Sequence, residues 1–213
     1  GYFDYIWPVV SGGGIIALTG LIDDVKELKP LAKMSGIVLA ASLIWLLTDF
    51  RLNHFKIPFG GPLLHFAPWL SFILTVIWII SITNAVNLID GLDGLVSGVS
   101  IISLVTMGIV SYFFLPDHNV FLTLTIFVLV MSIAGFFPYN YHPAIIYLGD
   151  TGALFIGFMI AVLSLQGLKN ATAVAVITPM IILGVPITDT FLAIVRRTLS
   201  GQKFYTPDKR HLH

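Results

Sequence analysis

The chain has 213 residues, of which 57% are hydrophobic and only 10% charged, with a formal net charge of zero and a mean hydropathy of +0.95. About a quarter of the residues in a soluble domain are charged, so this composition excludes an ordinary water-soluble globule and points to a polytopic membrane protein. Cysteine is absent, which excludes disulfides, thiolate metal sites and cysteine nucleophiles, and the zero net charge gives no sign of a nucleic-acid partner.

A helix needs about 20 apolar residues to cross a hydrocarbon core about 30 Å thick. Seven stretches meet or approach that length, at 5–22, 31–48, 66–88, 94–115, 120–139, 151–168 and 171–195. The second is the least regular, because its uncharged part begins only at Met34. The seventh contains Gly184 and Pro186, which should break the helix, with Asp189 just beyond. No repeat or second domain is visible. The expected architecture is therefore an all-α transmembrane bundle of about seven spans, forming a single domain over residues 1–213.

If all seven cross, their connections alternate between two sides. One side receives Lys26, Lys29, Lys33, Arg196, Arg197, Lys203, Lys209 and Arg210, and the other only Arg51, Lys56 and Lys169. The positive-inside rule makes the richer side cytoplasmic. Asp23, Asp24, Asp90, Asp93, Asp150, His211 and His213 fall on that same side, from four separate connections. An aspartate at mid-bilayer costs about 2.5 to 3.5 kcal/mol on insertion scales, and placement at helix ends avoids most of that.

Four motifs make up this polar set. In GLIDDVKELKPLAK (20–33), Asp23 and Asp24 could cap the following helix, with the lysines as membrane anchors. Equally, the pair could hold a divalent cation or accept a proton beside a lysine suited to phosphate. In NAVNLIDGLDGL (84–95), Asn87, Asp90 and Asp93 would form one slanting polar row if helical, and Gly91 and Gly94 would let backbone N–H groups approach a ligand. In YLGDTGAL (147–154), Asp150 lies between glycines with Tyr147 upstream; alone it reads as a helix cap. DKRHLH (208–213) sets Arg210 beside His211 and His213, a pair suited to anionic oxygens or a metal. Together they suggest a pocket of hard oxygen ligands, lysine and histidine, suited to Mg2+ and to phosphate transfer at a membrane surface.

The order and separation of GLIDD, NxxDGLDGL, GDTG and the HxH ending closely resemble the polyprenyl-phosphate N-acetylhexosamine-1-phosphate transferases, over nearly the whole chain. That family includes the peptidoglycan enzyme MraY and the dolichol-phosphate GlcNAc-1-phosphate transferase. The resemblance implies transfer of a sugar 1-phosphate from a UDP-sugar to undecaprenyl phosphate, giving a lipid diphosphate sugar and UMP. It implies Mg2+ as cofactor, with Mn2+ as a substitute, and a multi-pass protein of the bacterial plasma membrane whose site faces the cytoplasm, compatible with a homodimer. By the same resemblance, Asp23 and Asp24 are the paired aspartates, one of which deprotonates or positions the lipid phosphate, and Lys33 contacts substrate phosphate. Asn87 and Asp150 match metal ligands. Asp90, Gly91, Leu92, Asp93 and Tyr147 match the nucleotide site, with Tyr147 stacking on uracil. Arg210, His211 and His213 match the diphosphate and sugar site.

The HLH ending after DKR is similar to the WecA/TagO branch, which implies UDP-GlcNAc as donor and a first membrane step of a surface glycan such as teichoic acid. The alternative donor is UDP-MurNAc-pentapeptide, used by the peptidoglycan branch, whose ending carries a triple histidine. Family members have about ten or eleven spans, so roughly two more are expected before Gly1 and one or two after His213. A cation-coupled transporter is the competing class. It would place carboxylates near the bilayer midplane within inverted repeats, and neither is seen.

Overall fold

The computed structural model describes residues 3–56, 62–113 and 120–168. Six long helices account for most of them: α1 (Phe3–Lys26), α2 (Pro30–Leu47), α3 (Pro68–Leu88), α4 (Leu95–Phe113), α5 (Val120–Asn140) and α6 (Gly149–Leu168). Each contains at least 18 residues apolar enough to cross a membrane. The six correspond to the first six expected spans, with ends displaced by a few residues. The largest shift is in α1, which continues through Asp23 and Asp24 to Lys26. The seventh expected span, with Pro186 and Asp189, lies outside the described residues.

These segments become helices because a backbone in lipid has no water to bond and must satisfy its polar groups internally. Side-chain hydroxyls follow the same constraint. Thr19, Ser42 and Ser132 each donate to the carbonyl four residues earlier, on Ile15, Val38 and Val128, at 2.7 to 2.9 Å. Pro30 and Pro68 open α2 and α3, where a missing N–H leaves no carbonyl unpaired. Large apolar side chains remain on the outside, among them Trp7, Leu31, Trp69 and Met131, as expected of surfaces that face lipid.

The central element is α6, whose residues from Ala153 to Leu165 are mostly buried. It packs against α1, α3, α4 and α5; α2 lies against α1 and α3, and α4 pairs with α5. Small residues allow the close contacts. A Cβ on Gly157 would stand 2.9 Å from Thr83 Cα, and one on Gly36 would stand 2.3 Å from Thr19 Oγ1. Indole donors bridge the helices where hydroxyls are available: Trp78 Nε1 to Ser164 Oγ at 3.0 Å, and Trp45 Nε1 to Ser71 Oγ at 3.2 Å.

Between α2 and α3 the chain adds a feature absent from the all-helical expectation, a two-stranded antiparallel hairpin of β1 (His54–Lys56) and β2 (Leu63–His65) with His54 opposite His65. Strands of three residues are too short to show a period of two in a sequence. The hairpin lies at the opposite end of the bundle from the acidic motifs, since the order of the helices brings the end of α1, the start of α2, the end of α3 and the start of α6 to one end.

Candidate active site

That shared end gathers residues from three motifs. Asp23, in the last turn of α1, is buried, and its Oδ2 lies 2.7 Å from Lys33 Nζ in the first turn of α2. Lys33 also donates to Asp150 Oδ1 at 2.8 Å. The Asn87 side-chain amide, from the end of α3, donates to that same Asp150 oxygen in a short contact. Asp23, Lys33, Asn87 and Asp150, separated by up to 127 residues in the chain, thus form one continuous polar cluster. The lysine ammonium sits between two carboxylates, an arrangement that offsets much of the cost of withdrawing three charges from water.

Neither Asp23 nor Asp24 caps α2, whose Lys29 cap makes no side-chain bond. Asp23 Oδ1 instead accepts the Leu28 N–H at 2.6 Å, closing the tight turn in which Glu27 adopts a positive φ of 45°. Asp24 turns to α6. Its Oδ1 accepts the Asp150 N–H at 2.8 Å, and its Oδ2 accepts the Thr151 N–H at 3.1 Å and the Thr151 hydroxyl at 2.5 Å. Asp150 therefore opens α6 in its first turn, while the carboxylate that caps the helix comes from α1. Thr151 carried no expected role. It is part of the GDTG motif, but its partner lies too far away in sequence to be foreseen.

The expected helical row of Asn87, Asp90 and Asp93 is not formed. Helix α3 stops at Leu88 and the chain turns from Ile89 to Gly94. Gly94 takes a φ of 74°, a left-handed conformation that ends the helical path. Asp90 lies in this turn, half-buried. Desolvation first, then the charges of Asp150 and Asp24, push its carboxyl up to about 6. Asp93 makes a separate contact: its Oδ2 accepts the Ala144 N–H at 3.1 Å and lies 3.0 Å from His142 Nδ1. These bonds, with the Ala144 N–H the larger cause, hold the Asp93 carboxyl below its ordinary range. Gly91, Leu92 and Tyr147 are exposed. Arg210, His211 and His213 lie outside the described residues.

Lys33 pairs with Asp23 and Asp150, while Asp24 bonds the first turn of α6 and Asp90 feels the charges of Asp150 and Asp24, so carboxylates outnumber ammonium groups within the contacts of this cluster. Among the described residues, no three acidic or histidine side chains converge into a complete metal cage. A cation here would draw on Asp150 and the Asn87 amide and complete its shell with water or phosphate oxygens. That donor set suits Mg2+, which binds through one or two carboxylates and substrate phosphates.

Comparison with known proteins gives the family of the chain. The profile of glycosyl transferase family 4 matches residues 6–168. The chain is 42% identical over 206 residues to a probable undecaprenyl-phosphate N-acetylglucosaminyl 1-phosphate transferase of Bacillus subtilis, covering 96% of this chain and 56% of that protein. It is 36% identical over 223 residues to a decaprenyl-phosphate N-acetylglucosaminephosphotransferase of Mycolicibacterium smegmatis, with coverages of 96% and 55%. An undecaprenyl-phosphate alpha-N-acetylglucosaminyl 1-phosphate transferase of Salmonella typhi is 26% identical over 228 residues, covering 100% of this chain and 59% of that protein. The chain thus spans somewhat more than half the length of the curated relatives it matches. With the family profile covering α1 to α6 and every described member of the polar cluster, the chain belongs to glycosyl transferase family 4, the polyprenyl-phosphate hexosamine-1-phosphate transferases that its motifs resemble.

Proposed function

We propose that the chain carries the core of a Mg2+-dependent enzyme that transfers N-acetylglucosamine 1-phosphate from UDP-GlcNAc to undecaprenyl phosphate. The products are undecaprenyl-diphosphate-GlcNAc and UMP. The observation that carries this reading is the contact of Lys33 with both Asp23 and Asp150, beside Asn87, at one end of a membrane bundle. The names of the B. subtilis and S. typhi relatives, both of which specify undecaprenyl phosphate and N-acetylglucosamine, support the choice of substrates.

In this reading an oxygen of the lipid phosphate attacks the phosphorus attached to the sugar. A P–O bond to the lipid phosphate forms, and the bond to the oxygen bridging the two phosphates of the donor breaks, releasing UMP. Asp23 takes the remaining proton of the lipid phosphate or orients it, and Lys33 turns its ammonium from the carboxylates to the phosphate oxygens, where negative charge develops. Asp150 and Asn87 would hold Mg2+, which when bound neutralises the diphosphate and the leaving group. The turn at 89–94 and Tyr147 would receive the uridine. The site faces the cytoplasm, where UDP-sugars are made; the lysines at 26, 29 and 33 on this end of the bundle support that orientation.

The test incubates the full-length protein with undecaprenyl phosphate, radiolabelled UDP-GlcNAc and Mg2+ and extracts the lipid. A labelled lipid product is expected, and its loss on chelation of the metal. No product from UDP-GlcNAc, or from UDP-MurNAc-pentapeptide in its place, would overturn the proposal.

A further inference from the structure

We propose that Asp24 is a positioning residue: it caps α6 from the neighbouring helix and so holds Asp150 in the place from which it binds metal, leaving Asp23 to face the reacting phosphates. The inference rests on the transfer reading above, because it takes Asp150 as a metal ligand.

The two members of the aspartate pair point to different partners. Asp23 faces the interior of the cluster through Lys33. Both oxygens of Asp24 are engaged by residues 150 and 151, through two backbone N–H groups and one hydroxyl. All three donors on Asp24 belong to the first turn of α6, whereas Asp23 holds one backbone N–H and the Lys33 ammonium, a group that a phosphate can draw away. The first N–H groups of a helix have no partner within it, and a carboxylate also suits the positive end of the helix dipole.

The surrounding backbone is shaped for this contact. Gly20 precedes Asp24 by four residues and shares its face of α1; a Cβ there would stand 2.5 Å from Thr151 Cα and 2.8 Å from the Asp150 carbonyl oxygen. Gly149, immediately before Asp150, has a φ of 67°, and a Cβ on it would stand 3.1 Å from Asp24 Oδ2. Helix α1 therefore meets the first turn of α6 closely enough for the Asp24 carboxylate to fix the backbone on both sides of the Asp150 side chain. A ligand set of few protein groups depends on such outer support to hold each ligand in orientation.

The experiment uses full-length protein in detergent and compares Asp24→Asn, Asp24→Ala, Thr151→Val, Asp23→Asn and Asp150→Asn. Mn2+ binding is measured without substrate by electron paramagnetic resonance, alongside the melting temperature and the pH profile of transfer. Asp24→Ala should weaken Mn2+ binding about 10- to 100-fold, the range found for groups that orient metal ligands. Asp24→Asn, which keeps a carbonyl acceptor, should restore much of that binding and keep measurable turnover with the parent's pH profile. Thr151→Val should weaken binding less, and add nothing when combined with Asp24→Ala. Should the alanine variant fail to fold, Asp24→Asn and Thr151→Val decide the matter by the same readings. Asp24 variants that bind Mn2+ as the parent does, yet lose turnover or shift its pH profile, would show Asp24 acting on substrate and overturn the assignment. If the parent binds no Mn2+, or Asp150→Asn does not weaken binding, the metal reading itself fails and takes this assignment with it.

Discussion

Gly20 of α1 and Thr151 of α6 meet backbone to backbone, with room for hydrogen but not for a methyl group between them. Adding a methylene-sized group to a well-packed contact costs about 1 to 3 kcal/mol. Gly20→Ala should therefore lower the melting temperature of the purified protein in detergent. Gly14→Ala, at a position where a Cβ would meet nothing within 4 Å, is the matched control and should leave it unchanged or slightly higher. Equal effects of the two substitutions would show that the α1–α6 contact is looser than described.

Lys33 links two carboxylates, and Asp23 beneath it is largely withdrawn from solvent. Removing one member of a buried ion pair leaves the other unpaired, at a cost of about 3 to 5 kcal/mol. Because Lys33 retains some exposure, Lys33→Met should cost about 3 kcal/mol, at the lower end of that range. Asp23→Asn in the Lys33→Met background should recover part of the loss, since the amide carries no charge to strand. Denaturant melts of the two single variants and the double variant measure the coupling. Additive losses would mean that the pair contributes nothing jointly.

Asp90 gives the cluster a pH dependence. An unfolded aspartate titrates at about 3.9, whereas burial and the charges of Asp150 and Asp24 raise Asp90 to about 6. Between these values the folded chain holds a proton that the unfolded chain has lost. The stabilising contribution is complete below pH 4 and declines as pH rises through 6. In chelator, Asp90→Asn should melt above the parent at pH 7.5, and the two should converge near pH 4. A difference that does not change with pH would place the perturbed carboxyl elsewhere.

Asp93 ties the turn after α3 to the segment before α6 through the Ala144 N–H and His142. Its carboxyl is held below the ordinary range, so the tie is complete above the unfolded aspartate value and is lost as pH falls through the lowered one. Hydrogen exchange at the Ala144 amide should be slow in the parent and faster in Asp93→Ala, with little change in overall melting, since the contact lies at the surface. Protection that survives Asp93→Ala would assign the amide another acceptor.

Much of the fold was legible in the sequence because a span must be long and apolar to cross lipid. The first six stretches became α1 to α6 with small shifts at their ends. The hairpin at residues 54–65 was not legible, because three-residue strands carry no pattern. The row of Asn87, Asp90 and Asp93 failed as a helix for a local reason. Spacing alone suggested one face, but Gly91 and Gly94 follow Leu88 within six residues and the chain turns there.

The sequence by itself determined a helical membrane protein with most of its carboxylates at one end and Asp4, Asp49 and Asp117 at the other, because apolar length and the cost of buried charge act on each segment separately. It also brought forward every acidic member of the cluster, through motifs close to those of a known family. Only the tertiary structure decided how those residues divide their work. Asp23 and Asp24 are neighbours in sequence, but successive side chains on a helix point about 100° apart. Asp23 is thereby directed toward Lys33, and Asp24 toward the first turn of α6.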